Sequence, residues 1–307
     1  MTQQYPPQLL ALAAFSGVAW SLLGIAYRAG QLRGVSPVQV ALGVATVGAI
    51  SFGLDARAVP MAQVPALVWW LAAATGLGQF ICLKLMRPAL DRGPLSPLWC
   101  TINLAFVVAV VYARLFLGEQ IAPLALAGLA AAIGCVVVAS LGQHQTTPSG
   151  AQRGASDYLI YGGLLLLILL SNSLWLTCIK YLSAAHLPSG ATLMQAYGSV
   201  FSAAVYGGLG LLIVGDLLIV RQPIKVRALL ATGGLGAVGS ILGVWALARA
   251  GALPAAVVFT INCTLSLLFA ALVSAFAMGG KRTPIWYGTV LLAIAAVLLV
   301  NAPGFLR

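Results

Sequence analysis

Charge is what this sequence has least of. Only 7% of its 307 residues are charged, against 61% that are hydrophobic. A soluble globular domain carries about 25% charged residues, so too few remain here to cover a water-facing surface, and an ordinary soluble domain is excluded. The net charge of +11 comes from bases that are scattered through apolar sequence rather than gathered on one face, so no nucleic-acid partner is expected.

Histidine and paired cysteine are also scarce. The two histidines, His144 and His186, lie far apart, and the five cysteines form no Cys-x-x-Cys pair. These absences argue against a metal site, a disulfide framework and an intramembrane enzyme, so neither a cofactor nor a catalytic activity is expected. The five acidic residues all fall in predicted turns or at helix ends. A proton-coupled exporter of cationic drugs usually needs an acid inside the membrane, so that mechanism is disfavoured.

Long apolar runs dominate the chain, separated by short stretches of Gly, Pro and charge. A membrane-spanning helix needs about 20 apolar residues. The pattern predicts an all-α integral membrane protein with ten transmembrane helices. Their predicted ranges are 9–27, 37–54, 66–86, 95–117, 121–141, 158–182, 189–214, 228–249, 254–278 and 284–302.

The two halves of the chain resemble each other. A polar linker, 146–157, separates a first five-helix unit, 1–145, from a second, 158–307. Five short patterns recur in the same order, and the offset between matched residues grows steadily along the chain, as small loop insertions would produce. They are Ser16-x-x-x-Trp20 with Ser171-x-x-x-Trp175, Ala74-Thr75-Gly76 with Ala231-Thr232-Gly233, Ala89-Leu90-x-Arg92 with Ala246-Leu247-x-Arg249, Thr101-Ile102-Asn103 with Thr260-Ile261-Asn262, and Gly118 and Pro123 with Gly279 and Pro284.

The odd number of spans in each half has a topological consequence. Five spans bring the chain to the opposite side of the membrane, so the second half must enter it inverted. The sequence therefore predicts two inverted five-helix repeats around a central cavity, the arrangement in which transporters bind a substrate near the midplane.

The stretch GPLSPLWCTINLAFVVAVVYARLFLGEQIAPLALAGLAAAIGCVVV, residues 93–138, resembles the drug/metabolite transporters of the ten-helix EamA type. A Pro and small-residue entry, a fourth helix, a Leu-Gly-Glu turn and a Gly-containing fifth helix follow in that family's order. The resemblance implies a multi-pass protein of a cell membrane, such as a bacterial inner membrane, that exports small metabolites such as amino acids. The second half departs from the pattern, since Gly280 stands where the first half has Glu119.

Two matched asparagines are the first candidates for a substrate site. Asn103 and Asn262 each lie about 13 Å into their predicted helices, near the midplane. They either join helices by hydrogen bonds or line the cavity. Trp99 and Phe259 precede them by about one helical turn, which places an aromatic ring beside each amide.

Further candidates lie on other predicted helices. Trp20 and Trp175 are matched aromatic residues that either pack in the core or form a wall of the cavity, and Gln79 is a polar residue at mid-depth without a counterpart. Lys84 is the deepest of the bases that approach the core, and it is the candidate to meet a substrate carboxylate. The others are Arg87, Arg114, Lys180 and Arg249. The favoured expectation for all five bases, Lys84 included, is that they extend to the headgroups from near helix ends.

These patterns predict a secondary transporter of small neutral, zwitterionic or anionic metabolites, such as an amino-acid exporter, working by alternating access. The alternative is a flippase of lipids or lipid phosphates with the same fold, since basic rims such as RQPIKVR could hold a phosphate. The expected partners are a small-molecule substrate and membrane lipid, and a monomer is the expected assembly. The family resemblance puts both termini in the cytoplasm, whereas the positions of Lys and Arg favour the opposite orientation. The orientation stays open.

Overall fold

Ten α-helices are present in the part of the chain that the computed structural model describes, residues 5–92, 98, 101–143, 155–221, 226–277 and 284–305. In chain order they are α1 (Pro7–Leu32), α2 (Pro37–Ala56), α3 (Ala66–Arg92), α4 (Ala105–Phe116), α5 (Pro123–Gln143), α6 (Ala155–Ala184), α7 (Leu193–Val220), α8 (Val226–Ala250), α9 (Ala255–Ala277) and α10 (Pro284–Phe305).

The helix ends follow local sequence rules. Ser36 accepts a hydrogen bond from the N–H of Gln39 and Pro37 opens α2, while Thr192 and Gln195 form a reciprocal capping box at the start of α7. The structure differs from the predicted ranges at several places. Helix α1 extends to Leu32 and α7 to Val220, and α4 begins at Ala105 after a turn at Leu104. The third helix continues through Pro88 to Arg92, and α6 begins at Ala155, inside the predicted linker 146–157. The rest of that linker lies outside the described residues.

The helices have the length and composition of membrane spans. Within the described residues, seven are long and apolar enough to cross a bilayer. They are the helices at Pro7–Gly30, Pro37–Ala56, Ala66–Ala89, Leu159–Ala184, Leu193–Val220, Leu229–Ala250 and Ala255–Val273, and shorter apolar helices lie at Thr101–Phe116, Pro123–Val138 and Pro284–Val300. Large apolar side chains cover the outside, with Trp70 74%, Phe116 73% and Ile219 84% exposed. Such a surface suits lipid and not water, so the chain is a helical, multi-pass membrane protein.

Helix packing joins the first and second halves of the chain. Helix α1 packs against α8 and α9, and α6 packs against α3 and α4. Helix α2 contacts α7 and α8, α7 also contacts α3, and α5 packs against α10. Glycines allow close approach at the α8 contacts: a Cβ added to Gly239 would lie 2.5 Å from the carbonyl oxygen of Ala19. Small residues serve this purpose in membrane helices.

The bundle has two distinguishable ends. Tyr5, Glu119, Lys180 and Leu253 come together at one of them, which we name the Glu119 end. Lys180 lies near the end of α6, so α7 starts at the Glu119 end. At 1.5 Å per residue, Asp216 lies about 35 Å from the start of α7. Lys84 pairs with Asp216, so we name that opposite end the Lys84 end.

Candidate functional site

Asn262 lies in the contact between α1 and α9. Its side chain is buried, with 4% exposed, and its Nδ2 donates to the Oγ of Ser16 at 2.6 Å. The Ser16 hydroxyl in turn donates to the carbonyl of Ala13 at 2.8 Å. The amide therefore has a protein partner on a neighbouring helix, and helix α9 runs without interruption through this residue.

Backbone contact closes the same interface. A Cβ added to Gly17 would lie 2.5 Å from the carbonyl oxygen of Asn262, so only glycine allows α1 and α9 to come this close. Phe259, one turn before Asn262, is 1% exposed and belongs to the main hydrophobic core. The second Thr-Ile-Asn segment is thus built into tight helix packing.

The first Thr-Ile-Asn segment has a different backbone conformation after it. Residues 101–103 are helical, Leu104 is a turn, and α4 starts at Ala105. The N–H of Val107 donates to the carbonyl of Leu104 at 2.9 Å, a bond that spans three residues instead of the usual four. Asn103 is half-buried directly before this turn. Trp99, predicted beside it, lies outside the described residues.

Hydrogen bonds between amide groups join three helical segments next to this turn. Gln79 of α3 donates from its Nε2 to the Oδ1 of Asn172 on α6 at 3.3 Å and approaches the Asn172 carbonyl at 3.5 Å. Asn172 donates from its Nδ2 to the carbonyl of Ile102 at 2.9 Å. Polar side chains at membrane depth usually face a bundle interior or cavity. We take Gln79, Asn172, the Ile102 carbonyl and the adjoining Asn103 as the candidate site and call it the amide site.

The matched tryptophans are in contact. Trp20 and Trp175 lie edge to face, with ring centroids 6.4 Å apart and planes at 80°. Trp175 also meets Phe201 and Tyr206, with centroids at 6.0 and 5.7 Å. Its Nε1 is buried and has no hydrogen-bond partner among the described residues. Because Trp175 follows Asn172 by three residues on α6, this aromatic cluster lies about one turn from the amide site.

Lys84 has a protein carboxylate as partner. Its Nζ lies 2.6 Å from the Oδ1 of Asp216, and the two side chains are 44% and 17% exposed. Lys84 therefore reaches a substrate carboxylate only if it leaves Asp216.

The expectation that Lys180 extends to the headgroups is wrong. Its side chain is 3% exposed and pairs with Glu119, with the Nζ 2.5 Å from Oε1. Its ammonium group is buried against a partner from the first half of the chain, which the sequence of α6 alone does not indicate.

Sequence reasoning missed the centre of the amide site. Asn172 stands next to Ser171, one of the matched residues, and an amide within the apolar run of α6 is a signal of the same kind as Asn103. What the sequence could not supply was its connection to Gln79 and Ile102, which lie far away in the chain.

Comparisons with known proteins bear on the fold. No protein-family model and no curated protein sequence matches the chain. A solved structure described as "Crystal structure of protein" is similar over 96% of this chain and 96% of its own, with a TM-score of 0.74 and 14% sequence identity. At that identity the likeness shows a shared fold and no more.

Proposed function

We propose that this chain is a secondary transporter of small neutral, zwitterionic or anionic metabolites, such as amino acids, and that the amide site binds the solute. One observation carries the proposal: side-chain amides from α3 and α6 join the helical segment 101–103 of an apolar bundle, directly before the turn at Leu104. Transporters bind solutes at the interface of their repeats, where polar side chains and available backbone groups meet. The Gln79 and Asn172 amides offer donors and acceptors without net charge.

Helix packing supports the ten-span inverted repeat that the proposal needs. In such a repeat each helix of the first half corresponds to the helix five places later, so α1 matches α6, α3 matches α8 and α4 matches α9. The contacts of α1 with α8 and α9 then correspond to the contacts of α6 with α3 and α4. The contacts of α2 with α8 become those of α7 with α3, and the pairs α2–α7 and α5–α10 map onto themselves. A pseudo-twofold axis produces this correspondence.

The tryptophan contact supports the same axis. Two matched residues touch each other only if they lie close to the axis that relates them, and Trp20 and Trp175 touch. The aromatic cluster is then central, and its buried Nε1 donor lies near the amide site. A solute with a polar head and an apolar body would meet both groups. As part of the proposal we assign the chain to the EamA-type drug/metabolite transporters, which its residues 93–138 resemble.

A thermal-shift screen of the purified protein tests this function. The panel holds amino acids, other carboxylates, organic cations, nucleotide sugars and short-chain lipid phosphates. A bound solute at 100 times its Kd stabilises the fold by about 2.7 kcal/mol. We expect a shift with amino acids or carboxylates that is lost in Gln79→Met. The matched control is Thr46→Val, because among the described residues the Thr46 hydroxyl donates to the carbonyl of Leu42 within its own helix α2.

Other outcomes point elsewhere. A shift that survives in Gln79→Met would place the binding site outside the amide site. A shift with lipid phosphates alone would favour the flippase, and a shift with organic cations alone would overturn the argument from missing intramembrane acids.

A further inference from the structure

A buried ion pair ties the two halves of the chain together at the Glu119 end. The Lys180 Nζ lies 2.5 Å from the Oε1 of Glu119, 2.8 Å from the carbonyl oxygen of Leu253 and 3.2 Å from that of Gly251. An ammonium group has three protons to donate. Three acceptors therefore satisfy Lys180 completely, although only 3% of its side chain is exposed.

Glu119 holds a second group as well. Its Oε2 accepts the N–H of Ala255, the first residue of α9, at 2.7 Å. Gly118, with a φ of +67°, turns the chain after α4 so that Glu119 faces these partners. One carboxylate thus joins the α4–α5 turn of the first half to the end of α6 and the start of α9 in the second half.

The carboxylate is the part of this pair that water can reach. A pocket of about 610 Å³ borders Glu119, and Tyr5, Leu9, Leu253 and Pro254 also line it. The Glu119 side chain is 20% exposed, against 3% for Lys180. Burial and the nearby charge of Glu119 both raise the pKa of Tyr5, as expected for a phenol beside a carboxylate. Any exchange of partners must therefore begin at Glu119.

The opposite end has a weaker connection. Lys84 and Asp216 form an ion pair there between side chains that are 44% and 17% exposed, so water reaches this ammonium group, unlike that of Lys180. The sequence match between the halves places Ile25 opposite Lys180 and Gly280 opposite Glu119, so neither partner of the buried pair has a charged counterpart. The positions that correspond to Glu119 and Lys180 therefore cannot form an ion pair of their own.

We infer that Glu119 and Lys180 form a latch that keeps the Glu119 end closed, and that release of Glu119 opens this end while the Lys84 end closes. The inference rests on the proposed transport by alternating access. It adds which end is held shut, by which groups, and which partner leaves first. In the latched state Lys180 and the first N–H of α9 share Glu119, so its departure frees α6 and α9 together.

Distances between spin labels at both ends test the latch without any solute. The native cysteines are replaced by Ala, and label pairs are placed at Ala62 and Ser189 for the Glu119 end and at Arg87 and Val220 for the Lys84 end, all exposed positions. Pulsed electron spin resonance measures both distances in Glu119→Gln. We expect the 62–189 distance to lengthen by several ångströms and the 87–220 distance to shorten. The matched control, Asp216→Asn, should leave the 62–189 distance unchanged.

A double variant guards against misfolding. Glu119→Gln alone leaves Lys180 charged and buried without its partner, so Glu119→Gln with Lys180→Met removes both charges and should show the same opposed changes. Unchanged distances in the double variant would overturn the latch. Lengthening at both ends would also overturn it, because the pair would then only hold the fold together. Opposed changes in a protein that no solute stabilises would keep the latch and reject the amide site.

Discussion

Gly17 and Asn172 stand at matched positions in the two halves, directly after Ser16 and Ser171, and they build opposite kinds of helix contact. Gly17 lets the backbone of α1 touch that of α9 at Asn262. Asn172 instead extends an amide from α6 to the carbonyl of Ile102 and receives one from Gln79. The first contact is closed by backbone against backbone. The second is held by side-chain hydrogen bonds.

Similar sequence patterns in the two halves therefore make different kinds of contact. Asn262 has a short hydrogen bond within a regular helix, whereas Asn103 directly precedes the turn at Leu104. The same tripeptide therefore packs helices in one half and borders a polar site in the other.

The largest effect is expected from Gly17→Ala. The new Cβ would lie 2.5 Å from the Asn262 carbonyl oxygen, which must move. Overpacking of this kind costs about 1–3 kcal/mol, measured as the free energy of unfolding in mixed micelles. The control is Gly24→Ala, where nothing lies within 4 Å of the added Cβ. If both variants unfold alike, the α1–α9 contact is looser than its backbone indicates.

Asn172→Leu should follow closely in stability and exceed Gly17→Ala in its effect on binding. It removes the partner of Gln79 and of the Ile102 carbonyl, and unsatisfied buried polar groups cost about 1–3 kcal/mol. The stabilising solute of the thermal-shift screen should no longer shift the unfolding temperature. If the solute still raises the unfolding temperature of this variant, the solute binds outside the amide site.

The pair Asn262→Leu and Asn103→Leu tests the two tripeptides against each other. Asn262→Leu removes one buried hydrogen bond, worth about 1 kcal/mol, and should leave solute binding intact. Asn103→Leu should abolish binding. The measurement is the unfolding temperature of each variant with and without solute. If Asn262→Leu abolishes binding and Asn103→Leu retains it, the site lies at the α1–α9 contact instead.

The smallest effect is expected from Lys84→Gln. Ion pairs with exposed partners contribute about 0–1 kcal/mol, and Lys84 is 44% exposed. Unfolding free energy should change by less than about 1 kcal/mol, with solute affinity unchanged. A large loss of affinity would restore Lys84 to the role that the sequence suggested, as the partner of a substrate carboxylate.

The apolar runs of the sequence were enough to predict the helices. Length and hydrophobicity are local properties, so the ten predicted ranges and the ten described helices agree within a few residues at most ends. The matched Ser-x-x-x-Trp patterns also identified two residues, Trp20 and Trp175, that the fold brings into contact.

Contacts between residues that lie far apart in the chain could not be predicted from the sequence. Lys180 was expected at the headgroups because a lone lysine near a helix end usually extends there. Its actual surroundings depend on Glu119 and on the carbonyls of Gly251 and Leu253, which arrive from separate segments. Asn172 was passed over for the same reason, since its two partners lie on α3 and before α4. Such contacts follow from helix packing, which apolar composition does not specify.

The Glu119–Lys180 pair also has a consequence for biogenesis. A lysine costs about 2.5–3.5 kcal/mol when it enters the centre of the membrane during insertion, and less nearer a helix end. Glu119 precedes Lys180 in the chain, so its carboxylate is already at the membrane when the ribosome delivers α6. The carbonyls of Gly251 and Leu253 are synthesised later. The order of translation therefore lets the first half receive the lysine of the second as it inserts, before the remaining helices arrive to bury it.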